Sequence, residues 1–69
     1  MKLIELKHAV MAKKVLVFFE DGTESREFLS TGWGDDWANA IIKACKEFGD
    51  RPVSNLYPLS RNELVITVI

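Results

Sequence analysis

The length and composition of the chain indicate a small globular unit and exclude several classes of protein. With 69 residues, 48% of them hydrophobic and 28% charged, the chain fits a single domain over residues 1–69 and is too apolar to be disordered. Its formal net charge of −1 disfavours nucleic-acid binding, which phosphate neutralisation dominates, but it leaves room for a local basic patch.

The cysteine content and the N-terminal segment favour a cytoplasmic protein. Cys45 is the single cysteine, so no intrachain disulfide can form, whereas small secreted domains usually carry several. The first residues lack the apolar stretch of a secretory signal, and no run approaches the roughly 20 apolar residues of a membrane span. We therefore expect a cytoplasmic chain with no membrane partner.

The first dozen residues fit two patterns. Ile4, Leu6 and Val10 alternate with charged residues as in a strand, whereas Leu3, Leu6, Val10 and Met11 follow helical spacing about as well. We favour the strand and keep the helix as the alternative.

An Asp-Gly pair between two strand-like runs predicts a β-hairpin, because glycine takes a positive φ without steric cost. Residues 14–20 are mostly apolar, while residues 23–29 are more polar and suit an edge strand. Two registers remain open. A two-residue turn pairs Glu20 with Thr23, and a three-residue loop with a bulge at the glycine pairs Phe19 with Thr23.

The clearest helix signal begins at Asp35 and ends at Gly49. Acidic residues in its first turn and lysines toward its end complement the helix dipole. Apolar residues recur at i, i+3, i+4, i+7 and i+11, which places them on one stripe. These residues are Trp37, Ala40, Ile41, Ala44 and Phe48.

Two further strands follow the helix. Residues 53–57 lie between Pro52 and Pro58 and predict a short strand near an edge, because proline cannot donate to the ladder. Residues 64–69 are rich in β-branched side chains and predict a final strand. The expected fold class is α+β: a small, mainly antiparallel sheet with a single helix packed on one face. The expected order is β-β-β-α-β-β, with the first element either strand or helix.

Two of the predicted strands, Val15–Phe19 and Leu64–Ile69, are apolar on both faces. Strands of this kind usually belong to a sheet that is covered on both sides. One helix covers one face, so the other requires the N-terminal segment, a second copy or a partner. If that face carries Leu16 and Phe18 and is uncovered, it forms an apolar patch of the kind that marks interaction sites.

The sequence lacks the residue sets that catalysis, metal binding or phosphate binding need. His8 is the one imidazole, and Cys45 lies on the flank of the helix stripe, where an inert thiol is expected. Zinc needs about four ligands, and the glycines at 32 and 34 do not continue into a phosphate loop. We therefore expect no enzyme, no cofactor and no metal.

The candidate residues for partner binding are aromatic, aliphatic or acidic. Trp33, between two glycines, either packs back near the helix start or anchors a partner. The acidic residues at the hairpin tip and the helix start either serve local structure or form an acidic epitope for a basic partner. The full set is Trp33, Phe18, Leu16, Asp21, Glu24, Asp35 and Asp36.

The leading hypothesis is a small non-enzymatic protein-binding module. The layout of residues 14–58, with an acidic hairpin, one helix and a returning strand, resembles several very small bacteriophage-encoded proteins that block host machinery. Inhibitors of host RNA polymerase and some anti-CRISPR proteins are among them. The resemblance rests on element order and contains no diagnostic motif. It implies an inhibitor that occupies a surface of a larger host macromolecule.

Two alternatives belong to other functional classes. The chain is a structural homo-oligomer if an apolar face or edge, above all Leu64–Ile69, pairs with its own copy. It is a nucleic-acid-binding accessory protein if Lys13, Lys14 and Arg26, with Lys14 and Arg26 on a shared face, combine with aromatic stacking platforms at Tyr57 and Phe28.

Overall fold

The computed structural model describes residues 1–7, 12–30 and 40–69, which form a four-stranded sheet with helices packed on one side. The α+β class predicted from the sequence is confirmed. In chain order the elements are a 3-10 helix (Leu3–Leu6), β1 (Lys14–Phe19), β2 (Ser25–Leu29), α1 (Ile41–Phe48), β3 (Val53–Ser60) and β4 (Glu63–Val68).

The strands lie in the order β2-β1-β4-β3, with β1 and β4 parallel and the two outer pairs antiparallel. The two most apolar strands therefore occupy the centre, and the two more polar ones form the edges, as predicted for residues 23–29 and 53–57. The prediction that Leu64–Ile69 offers a free edge is wrong, because β4 pairs with a strand on each side.

The β1–β2 hairpin adopts the register predicted for a two-residue turn, with Phe18 opposite Ser25. The connection is longer than two residues, however. The Phe19 N–H donates to the Glu24 carbonyl at 3.3 Å, which leaves four residues in the loop. Gly22 lies within it at a φ of 75°, a conformation that glycine adopts without a side-chain clash.

The N-terminal segment is helical, and the preferred prediction of a first strand is wrong for the described residues. Leu3–Leu6 forms one turn of 3-10 helix, in which side chains three apart lie on the same side, so Leu3 and Leu6 are both buried. The Leu3 N–H donates to the Arg51 carbonyl at 3.0 Å, which ties the segment to the end of α1. Residues 8–11 lie outside the described part.

Helix α1 fills the second half of the predicted helix and ends where predicted, with the Gly49 N–H donating to the Cys45 carbonyl at 2.9 Å. Ile41 and Ala44 are fully buried, and Phe48 packs against the core. Residues 35–39 of the predicted helix lie outside the described residues. No described helix is long and apolar enough to cross a membrane.

The core lies between the sheet and the two helices. It combines alternate residues of β1 and β4 with the inner faces of the helices and one residue of β2. The largest fully buried side chains are Leu3, Ile41, Ile66, Val15, Val17 and Val68. Phe19, Phe28 and Phe48 pack edge to face at the β2 side, with ring centroids 5.3 and 6.0 Å apart.

Candidate partner-binding surface

The two faces of the sheet differ sharply in burial. On the side of α1, Val15 and Val17 of β1 and Ile66 of β4 are fully buried. Because strand residues alternate between faces, Leu16 and Phe18 point to the other side. Leu16 is half-buried there, and Phe18 is 40% exposed. We call this second side of the sheet the open face.

The middle of the open face is apolar. Leu16 of β1 lies opposite Val65 of β4, and Val65 lies opposite Tyr57 of β3, so the three form a row across the sheet beside Phe18. Val65 is only 3% exposed, whereas Tyr57 is 45% exposed. We call Leu16, Phe18, Val65 and Tyr57 the apolar centre. Val65 stands outside the core cluster around α1, although it is as well buried as many residues within it.

No described helix lies over the apolar centre. Among residues 1–7, 12–30 and 40–69, α1 contacts the 3-10 helix, β1 and β2 from the core side, and the 3-10 helix contributes Leu3 and Leu6 to that same core. Residues 1–7 belong to the N-terminal segment that the sequence offers as a cover for the second face. They lie instead on the same side of the sheet as α1. The described elements cover one face of the sheet and leave the other open.

A charged cluster lies beside the apolar centre on the same face. The Lys14 Nζ is 3.3 Å from Oε2 of Glu27 and 3.6 Å from Oε2 of Glu63. The Ser60 hydroxyl donates to Oε1 of Glu63 at 2.8 Å. The hydrogen bond and charge of Glu27, helped by Glu63, raise the pKa of Lys14 above its usual value. We call Lys14, Glu27 and Glu63 the charged cluster; with one cation and two carboxylates, it carries a net charge of −1.

Of the two acidic candidates at the hairpin, Asp21 serves local structure. The Asp21 carboxylate accepts the Thr23 backbone N–H at 3.0 Å and the Thr23 hydroxyl at 2.7 Å, which lowers the pKa of Asp21. This is the turn that an aspartate side chain forms with the backbone two residues ahead. The Glu24 side chain is exposed at the base of the loop. Neither residue belongs to the apolar centre or the charged cluster.

Three of the candidate residues, Trp33, Asp35 and Asp36, lie outside the described residues. Of the seven, the structure thus brings together Leu16 and Phe18 on the open face, and it places Asp21 in the hairpin loop and Glu24 directly after that loop.

The basic residues that a nucleic-acid site would combine do not share a face. Lys14 lies on the open face, while the Arg26 guanidinium lies on the core side, 2.9 Å from Oε2 of Glu47 and 5.6 Å from the ring centroid of Phe28. The predicted shared face of Lys14 and Arg26 is therefore wrong. Phe28 is 7% exposed, too buried to serve as a stacking platform together with Tyr57.

The surroundings of Cys45 are those of a buried thiol with a structural role. The buried Cys45 thiol donates to the Leu3 carbonyl at 3.5 Å, and burial raises the pKa of the thiol. A raised pKa keeps the thiol protonated at neutral pH, which makes it a poor nucleophile. His8, the one histidine with which the Cys45 thiol could pair, lies outside the described residues. Within the described ranges, no group of acidic, histidine and cysteine side chains has the arrangement of a metal site.

Both edges of the sheet carry features that hinder addition of another strand. At β3, the Leu56 N–H is already bonded to the Asn55 side chain at 2.9 Å, Pro58 has no N–H, and the pairing with β4 is irregular at two points. At β2, the Lys43 ammonium reaches from α1 to the Leu29 carbonyl at 2.7 Å. Natural sheets use such features to discourage edge-to-edge pairing.

A shallow cavity of about 260 Å³ opens at the end of the sheet, between the hairpin loop and the end of β4. The Arg51 guanidinium lies 4.6 Å from the ring centroid of Phe19 and donates to the Ile69 carbonyl at 3.1 Å. Glu20 and Asp21 complete the lining, so the cavity holds charges of both signs.

Sequence reasoning missed the contributions of Tyr57, Val65, Glu27 and Glu63 to the open face. Alternation within β1 identifies Leu16 and Phe18 as neighbours, but their companions come from three other strands. The missing information was the register between strands, because a shift of one residue would have moved each of these side chains to the core side.

Comparisons of the chain with protein-family models, with curated proteins and with solved structures give no match.

Proposed function

We propose that the chain is a small non-enzymatic module that binds a protein partner through the open face. The observation that carries this proposal is the apolar centre, in which Phe18 and Tyr57 are 40% and 45% exposed and no described element lies over them. Small proteins rarely expose contiguous apolar surface of this kind without a use for it.

The edges of the sheet favour docking onto the face over strand addition. A partner that extended the sheet would need free N–H and C=O groups along β2 or β3. The Asn55 side chain, Pro58 and Lys43 interfere with that pairing. A partner that lies across the face meets no such obstacle and gains directly from burying Phe18.

In this proposal the module occupies a surface of a larger macromolecule in the cytoplasm, which is the mode of action expected of the phage-type inhibitors that its layout resembles. Self-association through the same face is the competing function. Light scattering across a wide concentration range separates the two, since self-association through this face gives a dimer and the proposed module is a monomer that needs another protein.

Site-specific photo-crosslinking tests the proposal directly. A photoreactive phenylalanine analogue replaces Phe18 in one variant and, as the matched control, Leu56 in another; Leu56 is 36% exposed on the core-side face of the same sheet. We expect one discrete heterologous adduct from position 18, lost when Tyr57 is changed to Ser, and none from position 56.

Three outcomes would contradict the proposal. Equal adducts from both positions would show that contact is nonspecific, and an adduct from position 56 alone would place the interface on the other side. If both positions fail to crosslink in the cells that make the protein, the open face has no protein partner there.

A further inference from the structure

We infer that the partner surface that docks on the open face is apolar and carries an arginine or lysine side chain that meets the carboxylates of the charged cluster. This inference rests on the proposed function and adds the chemistry of the partner to it. The alternatives are a second copy of the chain, a neutral apolar surface and an acidic one.

The charged cluster contains one more carboxylate than its single cation neutralises. Lys14 is shared between Glu27 and Glu63, whose side chains are 48% and 35% exposed. Among the described residues, Oε1 of Glu27 has no hydrogen-bond partner, and Oε2 is occupied only by the Lys14 ammonium. A guanidinium or ammonium from a partner would bind this side of the cluster and neutralise its net negative charge.

The charged cluster is adjacent to the apolar centre. Glu27 lies directly opposite Leu16 in the β1–β2 ladder, and Lys14 and Glu63 lie opposite each other two residues before Leu16 and Val65. A partner that buries Leu16 therefore also removes solvent from around Glu27. Lys14 offsets one of the two carboxylates, so desolvation of the cluster leaves one negative charge uncompensated, and a cation from the partner would offset it.

The area of the face argues against a second copy as the occupant. Four strands about 4.8 Å apart and about 17 Å long give a face of roughly 300–400 Å². Two such faces in contact would bury roughly 700 Å² in total, below the 1,200 Å² or so at the lower end of specific interfaces. A helix about 10 Å wide fits across the face, and a small interface of this kind is typical of a transient partner rather than of the stable dimer that a second copy would form.

The net negative charge of the cluster also argues against a second copy as the occupant. In a two-fold dimer the same patch lies on both copies. The charged cluster of one copy would then meet either the equally negative cluster of the other or its apolar centre. Both arrangements are unfavourable, because the first opposes like charges and the second buries the excess negative charge of the cluster against apolar side chains that do not neutralise it.

The test uses the full chain, labelled with ¹⁵N, and three amphipathic helical peptides about 15 residues long, a length at which helices form in favourable sequences. The peptides share one leucine face and carry arginine, glutamine or glutamate at the flanking positions. We expect the arginine peptide to shift the amide signals of Leu16, Phe18 and Val65 and to bind about threefold or more tightly than the glutamine peptide, with the glutamate peptide weakest.

Three variants assign the preference to the charged cluster. Glu27→Gln should abolish most of the preference for arginine. Lys14→Met, which retains an apolar stem but leaves two uncompensated carboxylates, should increase it. The control Asp50→Asn removes one negative charge from an exposed position after α1 and should leave the preference unchanged.

The outcomes distinguish this inference from the proposed function. Equal affinity for all three peptides, or tighter binding of the glutamate peptide, would overturn the basic partner and leave the open face as a binding surface. Shifts of the same amides with protein concentration alone would identify a second copy and overturn it as well. No shift at Leu16, Phe18 or Val65 with any peptide would overturn both proposals.

Discussion

The two faces of the sheet are built from neighbouring residues of the same strands, yet they differ in burial. On the core side, Val17 and Ile66 are fully buried beneath helices. On the open face, Phe18 and Tyr57 remain 40% and 45% exposed. The first face supplies the core cluster of the monomer, whereas on the second, where Val65 is buried, the described elements leave the Phe18 and Tyr57 side chains exposed.

The difference in burial also separates the residues on which the fold depends from those on which it does not. A single core of this size supplies a net stability of only about 3–5 kcal/mol. Residues on the core side therefore have almost no tolerance for change. Those at the open face are much freer to vary, which is the condition under which a binding surface can be shaped without loss of the fold.

The largest expected effect comes from truncating the core side. Ile41→Ala, at a fully buried position of α1, should cost about 2–5 kcal/mol and leave the chain largely unfolded. Phe18→Ala, the matched truncation on the open face, should change the free energy of unfolding by less than about 1 kcal/mol. Urea titration followed by circular dichroism measures both. If the two variants lose similar stability, the open face is covered within the monomer and the comparison fails.

Much of this asymmetry could be predicted from the sequence, because it depends on local alternation. The pattern of Val15–Phe19 already places Leu16 and Phe18 on the opposite face from Val15 and Val17, and the helix stripe ending at Phe48 supplies one cover. The class of the fold follows from these two elements, and the structure confirms it.

The remaining features depend on how distant segments meet, which local patterns do not encode. That β4 runs parallel to β1 in the centre of the sheet is set by the crossover of the chain through α1. The apolar residues of the first dozen positions fit a strand and a helix about equally, and contacts with the end of α1 decide the conformation of Leu3–Leu6. The charged cluster likewise exists only once three strands are in register.

A smaller expected loss of stability follows from breaking the ion pairs, one on each face of the sheet. Arg26 on the core side bonds Glu47 at 2.9 Å and lies over Phe28 and Phe48, so Arg26→Met should cost about 1–2 kcal/mol through loss of the pair and of the cation–π contacts. Glu27→Gln, which weakens the pair with Lys14 on the open face, should cost less than about 0.5 kcal/mol.

Urea midpoints at low and at high salt measure both changes, and a double-mutant cycle with Glu47→Gln isolates the pair from the aromatic contacts. A larger loss from Glu27→Gln than from Arg26→Met would show that the charged cluster holds the fold together. It would then be unavailable to a partner.

The smallest expected effect is the pH dependence of the charged cluster. Its carboxylates raise the pKa of Lys14 above the usual value of 10.5, so the folded state holds this proton more tightly than the unfolded state. The resulting stabilisation is complete below pH 10.5 and is lost as the pH rises through the folded pKa. Lys14→Met should therefore remove this stabilisation at neutral pH, which lowers the neutral plateau slightly, and flatten the alkaline end of the stability profile.

The control for that profile is Lys46→Met, which removes an exposed cation from α1 on the other side of the sheet. If both variants flatten the alkaline limb equally, the effect reflects overall charge rather than Glu27 and Glu63. If only Lys14→Met does so, the cluster is intact in solution with both carboxylates ionised. An intact, ionised cluster is the state in which the open face would present its excess negative charge to a basic partner.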